Sequence, residues 1–344
     1  MKALAAQVER VADAWAKRAP GAVVAAVDLR SDEEAVRGVG RLRLPDGATP
    51  DARSLFEIGS VSKVFTGLLL ADAVVRGEVR TDTPVAELLP GVAVPERDGR
   101  PILLEHLAAH RSGLPSSPVP ALQAVRVALL QRRNPYAGVT PQRLLEVVET
   151  ARLRRPPGTG GMHYSNLGMA LLGEALVRRT GAASYGALIA ERIAGPLGLA
   201  DTCVLDDIGD RRERLATGYA GRRPKEAEHW RLTGMAGAGA LLSNAADLIR
   251  FLRAQLQPES SPLADAIALS HVQRHDQGRF GIGLGWIRST LRDGVLLWHN
   301  GGTGGFRSFV GFRADAGVGA VVLSSGRRGP DRRAVALLSA LAEH

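Results

Sequence analysis

Strand patterns at both ends of the chain, separated by a helical middle, constrain the fold more than any other feature of this sequence. Two runs of β-branched or alternating residues flank Arg30–Glu33 and indicate a hairpin. The strand patterns are Ala22–Leu29, Ala35–Leu42, Leu55–Ile58, Gly281–Ile287, Val295–His299, Arg307–Arg313 and Val318–Ser324. Because strands and helices do not alternate, the order predicts an α+β fold with a mainly antiparallel sheet.

The middle of the chain, from about Val79 to Asp210, is rich in helical patterns that prolines interrupt. We expect helices near Leu103–Ala109, Pro141–Ala151, Leu167–Thr180, Tyr185–Ile193, Ala245–Gln255 and Arg332–Ala342. The first residues, up to about Arg18, carry Glu9, Arg10 and Asp13 within their apolar pattern. They predict an amphipathic helix rather than a signal peptide, and therefore a cytoplasmic protein.

Composition excludes several classes of protein. The 344 residues are 45% hydrophobic and 23% charged, which is typical of a globular chain, and the run without charges at Pro156–Gly173 is too polar for a membrane span. Net charge is +9, but the basic residues are scattered and aromatic residues make up only 4%, so we expect no nucleic-acid partner. Cys203 is the single cysteine, which excludes an internal disulfide framework and a multi-cysteine zinc site.

The sequence Ser60-Val61-Ser62-Lys63 is the strongest chemical signal. Only four of the 44 basic residues are lysines, so a lysine inside a motif stands out from the arginines that supply most of the positive charge. The spacing places Ser60 and Lys63 on one helix face, one turn apart. Burial near a helix N-terminus lowers the pKa of a lysine, and a neutral amine beside a hydroxyl is what activation of a serine requires. The alternative is a helix-capping Ser60 and a surface Lys63.

Two further segments carry candidate site residues. Tyr164-Ser165-Asn166 precedes a helix, where a tyrosine can relay a proton and an asparagine can bind a substrate amide. The alternative is a loop tyrosine packed on the core. The run from Trp298 to Phe306 places glycines between two strands, where backbone N–H groups can face an oxyanion. The alternative is a hairpin turn.

Together these residues resemble the serine β-lactamase and penicillin-binding-protein superfamily, in the branch of class C β-lactamases, D-aminopeptidases and carboxylesterases. The resemblance extends from about Ala22 to Ser325 in the expected order. The matching segments are Ser54–Lys63, Thr83–Pro90, the histidine and SGLP turn within Leu103–Pro115, Pro156–Gly158 leading to Tyr164–Asn166, and Pro196–Leu199 with Asp201 and Thr202.

The resemblance implies roles for individual residues. Ser60 is the acylated nucleophile, and Lys63 with Tyr164 handles its proton. Asn166 orients the substrate acyl group, while the N–H groups of Ser60 and Gly302 form the oxyanion hole. His299 and Gly301, on the same glycine strand as Gly302, are further substrate-binding residues. The histidine turn at His110 and Ser112 is structural. No metal and no organic cofactor is implied.

The resemblance also implies an architecture. The fold would be an antiparallel five-stranded sheet flanked by helices, with an inserted, mostly helical domain. Residues 1–78 and 211–344 would form the sheet domain, which carries the nucleophile and the glycine strand. Residues 79–210 would form the helical domain, which carries the Tyr-Ser-Asn motif.

One departure from the family affects the expected substrate. Lactamases and carboxypeptidases carry Lys-Thr-Gly where this chain has His299-Asn300-Gly301, and a histidine is mostly neutral at pH 7. The substitution favours an esterase or transacylase acting on a small-molecule ester or acyl substrate, with water or an amine or alcohol as acceptor. The alternatives are a D-aminopeptidase or β-lactamase-like amidase, and a catalytically silent ligand-binding domain. Arg307 is expected at the surface, with a cation near the pocket as the alternative.

The segment Ser116–Val139 directly follows the histidine turn and lacks a firm helical stop. We expect either a loop that covers the pocket or a plain solvated connection. If it is a lid, shortening Gln131–Gly138 admits water and favours hydrolysis over acyl transfer.

Overall fold

The computed structural model describes residues 2–130, 132–221 and 223–343. The predicted sheet domain begins at Met1 and ends at His344, and the predicted lid deletion begins at Gln131; these three residues lie outside that description. The strands are β1 Gly21–Asp28, β2 Glu33–Gly40, β3 Phe56–Glu57, β4 Cys203–Val204, β5 Tyr219–Ala220, β6 Lys225–Glu226, β7 Leu241–Ser243, β8 His275–Gln277, β9 Phe280–Ile282, β10 Ile287–Leu291, β11 Gly294–Gly302, β12 Phe306–Arg313 and β13 Val318–Ser325.

The helices divide between the two ends of the chain and the middle. They are α1 Lys2–Ala16, α2 Ser62–Val75, α3 Val85–Leu88, α4 Leu104–Ala108, α5 Ala121–Val125, α6 Pro141–Glu149, α7 Asn166–Thr180, α8 Tyr185–Ile189, α9 Ala236–Gly239, α10 Ala245–Leu256, α11 Ala264–His271 and α12 Asp331–Ala342. Short π-helical turns follow α5 and α8, at Arg126–Leu130 and Ala190–Ala194. Each long predicted helix lies within a few residues of its expected bounds. No helix among the described residues is long and apolar enough to cross a bilayer.

The main sheet is antiparallel, as predicted, but it has eight strands rather than five. Its order is β2-β1-β13-β12-β11-β10-β9-β8. The run Gly281–Ile287, expected as one strand, forms parts of two strands because the chain reverses between them. Gly283 N–H donates to Trp286 O at 2.9 Å, and Gly285 has a φ of +82° that favours glycine. The reversal lets β8, β9 and β10 pair and extends the sheet.

The central strand β1 shows how the layers form. Val23, Ala25 and Val27 point into one hydrophobic cluster, while Ala22, Val24 and Ala26 point into another. The first cluster contains residues of α2, α10 and α11, and the second contains residues of α1 and α12. Because both faces of β1 are covered by helices, its sequence is a continuous apolar run rather than an alternating one.

The helical middle packs against α2, the helix that follows Ser60. Leu68 of α2 shares a hydrophobic cluster with Leu107, Leu171 and Phe312, so this core runs from the sheet into the helical region. The division into two domains at the predicted boundaries stays a prediction. The fold brings Asn166, the first residue of α7, and Gly302, the last residue of β11, to one cavity that Ser60 also lines.

Candidate active site

The turn that carries Ser60 is held against the glycine strand by contacts between backbones. Gly59 has a φ of +50°, and a Cβ at this position would lie 2.7 Å from Gly302 N. Ser308 Oγ donates a hydrogen bond to Ile58 O at 2.7 Å. Residues 59–61 form a 3₁₀ turn before α2, and no side chain caps either helix start. Ser60 is therefore not a helix cap, and its half-buried side chain is available to a substrate.

Lys63 is completely buried directly beneath Ser60. Its Nζ lies 2.9 Å from Ser60 Oγ and 2.6 Å from Ala238 O. Among the described residues no carboxylate forms an ion pair with this amine. Burial without a counter-charge disfavours the ammonium and lowers the pKa of Lys63 well below its ordinary value. The alternative of a surface lysine is wrong.

Tyr164 lies beside the same two residues. Lys63 Nζ is 4.9 Å from the centre of the Tyr164 ring. Burial raises the pKa of Tyr164 above its ordinary value, and a hydrogen bond with Ser60 partly offsets that rise. The tyrosine therefore stays protonated at neutral pH, with its hydroxyl next to that of Ser60. Asn166 begins α7, and Ser165 caps that helix by accepting from Gly168 N at 2.9 Å.

Two buried histidine rings flank Tyr164. The ring centroids of His110 and His299 lie 4.5 Å and 6.2 Å from that of Tyr164. His110 Nδ1 accepts from Ser165 N at 3.3 Å, while His299 Nδ1 donates to Asn300 O at 2.6 Å. Burial, together with the nearby Lys63, lowers the pKa of His299 to about 3. The prediction that His299 binds the substrate is wrong, because its side chain is only 1% exposed and does not line the cavity; its ring lies beside Tyr164 instead.

Two adjoining cavities meet at Ser60. We call the larger and more open one, of about 530 Å³, the mouth and the smaller, more enclosed one, of about 150 Å³, the inner part of the site. Asn166, Gly301 and Gly302, all predicted from the sequence, lie on their walls. The structure adds residues that sequence reasoning did not select as site residues: Trp230, Leu232, Met235, Thr303, Arg307 and Asp331. The described residues that line the inner part include no charged side chain, whereas Arg307 and Asp331 lie at the mouth.

Trp230 is held in the wall by the strand that leads to Ser60. Glu57, which is buried in β3, accepts hydrogen bonds from Trp230 N at 3.0 Å and from His229 Nδ1 at 2.8 Å. The indole meets Tyr136 edge to face, with ring centroids 5.8 Å apart. Tyr136 belongs to the segment predicted as a lid, and Asn134 Nδ2 ties that segment to Arg231 O at 2.7 Å. The segment therefore forms one wall of the cavity.

Arg307 does not face the surface, contrary to expectation. The register of β11 and β12 places it opposite Gly302, and a Cβ on Gly302 would lie 2.9 Å from Arg307 Nη1. The guanidinium donates to the carbonyl oxygens of Thr303 and Phe306 at 2.8 and 2.6 Å. Within the described part of the chain, no carboxylate lies within 4 Å of it. Burial lowers the pKa of Arg307, and its cation lines the cavity mouth.

The arrangement can activate a serine hydroxyl and stabilise an oxyanion. A neutral amine at hydrogen-bond distance can accept the Ser60 proton, and a protonated tyrosine beside it can return one. The close approach of Gly59 and Gly302 brings the backbone N–H groups of Ser60 and Gly302 to the same region of the cavity. Among the described residues no cluster of histidine, cysteine or acidic side chains could hold a metal ion.

Comparison with known proteins agrees with this geometry. D-alanyl-D-alanine-carboxypeptidase/endopeptidase AmpH of Escherichia coli K12 is 27% identical, and the match covers 92% of this chain and 82% of AmpH. Penicillin-binding protein 4 of Amycolatopsis lactamdurans is 30% identical over 89% of this chain and 81% of its own length. The Beta-lactamase of Escherichia coli K12 is 26% identical over 79% and 76% of the two chains.

The chain also matches a family model. The model described as Beta-lactamase matches residues 6–344, which is nearly the whole chain. The match includes the Ser60 turn, the tyrosine motif and the glycine strand, which the fold brings around one cavity. The chain therefore belongs to the β-lactamase family of serine hydrolases, in the superfamily that also contains the penicillin-binding proteins.

Proposed function

We propose that the protein is a serine acyl-transfer enzyme that cleaves a small-molecule ester or activated acyl group through an acyl-Ser60 intermediate. The observation that carries the proposal is the position of the Lys63 amine, which is buried without a carboxylate partner among the described residues and lies 2.9 Å from Ser60 Oγ. A lysine in that environment is kept neutral, and a neutral amine can act as a base.

The reaction follows from the positions of these groups. Lys63 Nζ takes the proton of the Ser60 hydroxyl while Oγ attacks the acyl carbon, and the carbonyl oxygen becomes an oxyanion held by the N–H groups of Ser60 and Gly302. As the tetrahedral intermediate collapses, Tyr164 donates its proton to the departing oxygen and recovers one from Lys63. Water or an alcohol or amine then attacks the acyl carbon while it gives up a proton to the same pair. As the bond between the acyl carbon and Oγ breaks, the pair returns a proton to Oγ, which restores the Ser60 hydroxyl.

The cavity supports an uncharged acyl group. Its inner part lies between Trp230, Leu232 and Met235, where an alkyl or aryl acyl chain can leave water. The neutral, enclosed His299 supplies no cation at the position where lactamases carry a lysine. An ester with an apolar acyl chain fits these walls better than a charged peptide.

The test is covalent labelling followed by mass spectrometry. A fluorophosphonate should increase the mass of the wild-type protein by that of one phosphonyl group bound to Ser60. The wild-type protein should also hydrolyse a p-nitrophenyl ester. Ser60→Ala should lose both activities while keeping the fold, because the side chain caps no helix. Ser31→Ala, on an exposed turn, is the matched control and should behave as wild type. Labelling that persists in Ser60→Ala would contradict the assignment.

A carboxypeptidase-type amidase is the second candidate, and Arg307 is the observation that favours it. Its guanidinium lies over Gly302 without a carboxylate partner, where it can bind a substrate carboxylate. AmpH, whose name describes a D-alanyl-D-alanine carboxypeptidase, is among the relatives. We expect kcat/KM for a p-nitrophenyl ester to exceed that for a D-Ala-D-Ala peptide and for a cephalosporin. A kcat/KM that is higher for the peptide or the cephalosporin than for the ester, with that preference lost in Arg307→Gln, would establish the amidase instead.

A further inference from the structure

The mouth of the catalytic cavity contains a carboxylate that the reaction does not use. Asp331, the first residue of α12, lines the same cavity as Ser60. Asn300 Nδ2 donates to its Oδ2 at 2.8 Å, whereas its Oδ1 is buried and has no hydrogen-bond partner. In the described ranges no arginine or lysine nitrogen lies within 4 Å of this carboxylate.

A structural role accounts for part of this arrangement, because an acidic residue in the first turn of α12 interacts favourably with the helix dipole. The side chain does not cap the helix, since Pro330 is the cap residue and no side-chain bond is made there. Arg307 lines the same mouth and its charge interacts with that of Asp331, but the two form no ion pair within 4 Å, and the guanidinium donates to backbone oxygens. An anionic oxygen that is buried without a donor is unfavourable, so a donor that reaches this carboxylate from the cavity would stabilise the site.

The position of Asp331 indicates which part of a substrate it would meet. The acyl group stays bonded to Ser60 through half of the reaction, so it belongs in the narrow inner part of the cavity. The departing and accepting groups must exchange with solvent, so they pass through the open mouth where Asp331 lies. A group that Asp331 binds is therefore on the far side of the scissile bond from the acyl chain.

We propose that Asp331 forms an ammonium-binding subsite, and that the departing or accepting part of the natural substrate carries a cationic amino group. This inference rests on the proposed acyl transfer at Ser60. The bound amine is protonated, so it is a recognition element and not the attacking nucleophile. A charge-assisted hydrogen bond to a carboxylate is strong enough to distinguish such a substrate from its uncharged isostere.

A pair of matched aryl esters tests the subsite. 4-(Aminomethyl)phenyl acetate carries an ammonium at pH 7, and 4-ethylphenyl acetate has nearly the same shape without the charge. We expect Asp331→Asn to lower the ratio of the two kcat/KM values, cationic over neutral, by about tenfold. Asp331→Glu, which keeps the charge, should retain most of that preference. Asp265→Asn changes the same residue type in the first turn of α11, away from the cavity, and should leave the ratio unchanged.

A binding measurement separates this inference from the proposed function. In the Ser60→Ala background, calorimetry with 4-(aminomethyl)phenol should give a dissociation constant that rises about tenfold when Asp331→Asn is added, while 4-ethylphenol should show no such change. If wild type hydrolyses neither ester, the ester function fails and this binding arm alone decides the subsite. An ester ratio or a dissociation constant that is unchanged by Asp331→Asn overturns the inference.

Discussion

Replacing Lys63 by methionine should abolish activity and at the same time stabilise the protein. The proposed mechanism requires a neutral Lys63 in the folded enzyme, while the unfolded chain carries a protonated one. Removing a proton at pH 7 from a group whose ordinary pKa is 10.5 costs about 5 kcal/mol. That cost is part of the free energy of folding of the wild-type protein.

The hydrogen bonds of Lys63 offset part of this free-energy cost. Its hydrogen bonds to Ser60 Oγ and Ala238 O each contribute about 1 kcal/mol. Methionine fills the same buried volume without a charge, but it leaves Ala238 O without a donor, which costs about 1–2 kcal/mol. The balance predicts that Lys63→Met raises the free energy of unfolding by about 1–2 kcal/mol at pH 7.

The pH dependence gives a sharper test than the magnitude. The proposed mechanism keeps Lys63 neutral in the folded protein between pH 7 and 9, so the unfolded state binds one more proton at this residue than the folded state; burial shifts the pKa of Lys63 in the required direction. Wild-type stability therefore rises with pH relative to Lys63→Met, by about 1.4 kcal/mol per pH unit. The advantage of the variant should shrink across this range.

Urea unfolding at pH 7, 8 and 9 measures both quantities. Lys225→Met, on an exposed strand, is the control and should differ from wild type by less than about 0.5 kcal/mol at each pH. A Lys63→Met variant that is less stable than wild type at pH 7, or whose difference from wild type is independent of pH, would refute a neutral Lys63. It would also remove the physical basis for the amine as base.

Four further outcomes follow from the site. Lys63→Ala, Tyr164→Phe and the double variant should lose similar activity, since the two residues handle one proton; a double variant that loses the product of the single effects contradicts this. Trp230→Ala widens the inner cavity, so the preferred p-nitrophenyl ester should shift from acetate toward octanoate, and an unchanged chain-length order argues against an acyl pocket there. The kcat/KM of an ester should rise as pH increases through the lowered pKa of Lys63, and His299→Gln should not move that limb between pH 5 and 9, because the pKa of His299 is about 3. Shortening residues 132–138 should raise hydrolysis relative to transfer, measured with an alcohol acceptor present; an unchanged ratio excludes a lid.

The sequence was sufficient to predict the nucleophile region because the relevant contacts are local. Ser60 and Lys63 are one helical turn apart, so their proximity follows from helix geometry alone. Tyr164 and the glycine strand lie far away in the chain, and only their joint resemblance to a family placed them together. Periodicity would have left Tyr164 as a loop residue packed on the core.

The residues that the sequence did not reveal depend on strand register and on long-range packing. Arg307 on β12 has the pattern of a surface arginine, and it reaches the cavity because the register pairs it with Gly302. Trp230 lies in an irregular segment and is oriented by Glu57, 173 residues earlier in the chain. The extra strands formed for a similar reason, since the reversal at Gly283–Trp286 is stabilised by contacts that no short window contains.

Gly302 lies next to both the proposed oxyanion hole and the positive charge of the cavity, which Arg307 carries. The missing side chain of Gly59 lets the Ser60 turn approach the backbone of Gly302 closely, which the oxyanion hole requires. The missing side chain of Gly302 lets the Arg307 guanidinium lie across that residue, and a larger residue at 302 would displace the guanidinium. The buried, neutral His299 supplies no cation to the cavity, yet the cavity still contains a positive charge, carried by Arg307 on the neighbouring strand. This cation lies at the cavity mouth, which Asp331 also lines. A mouth with one charge of each sign favours a substrate that is polar on its departing side and apolar on its acyl side.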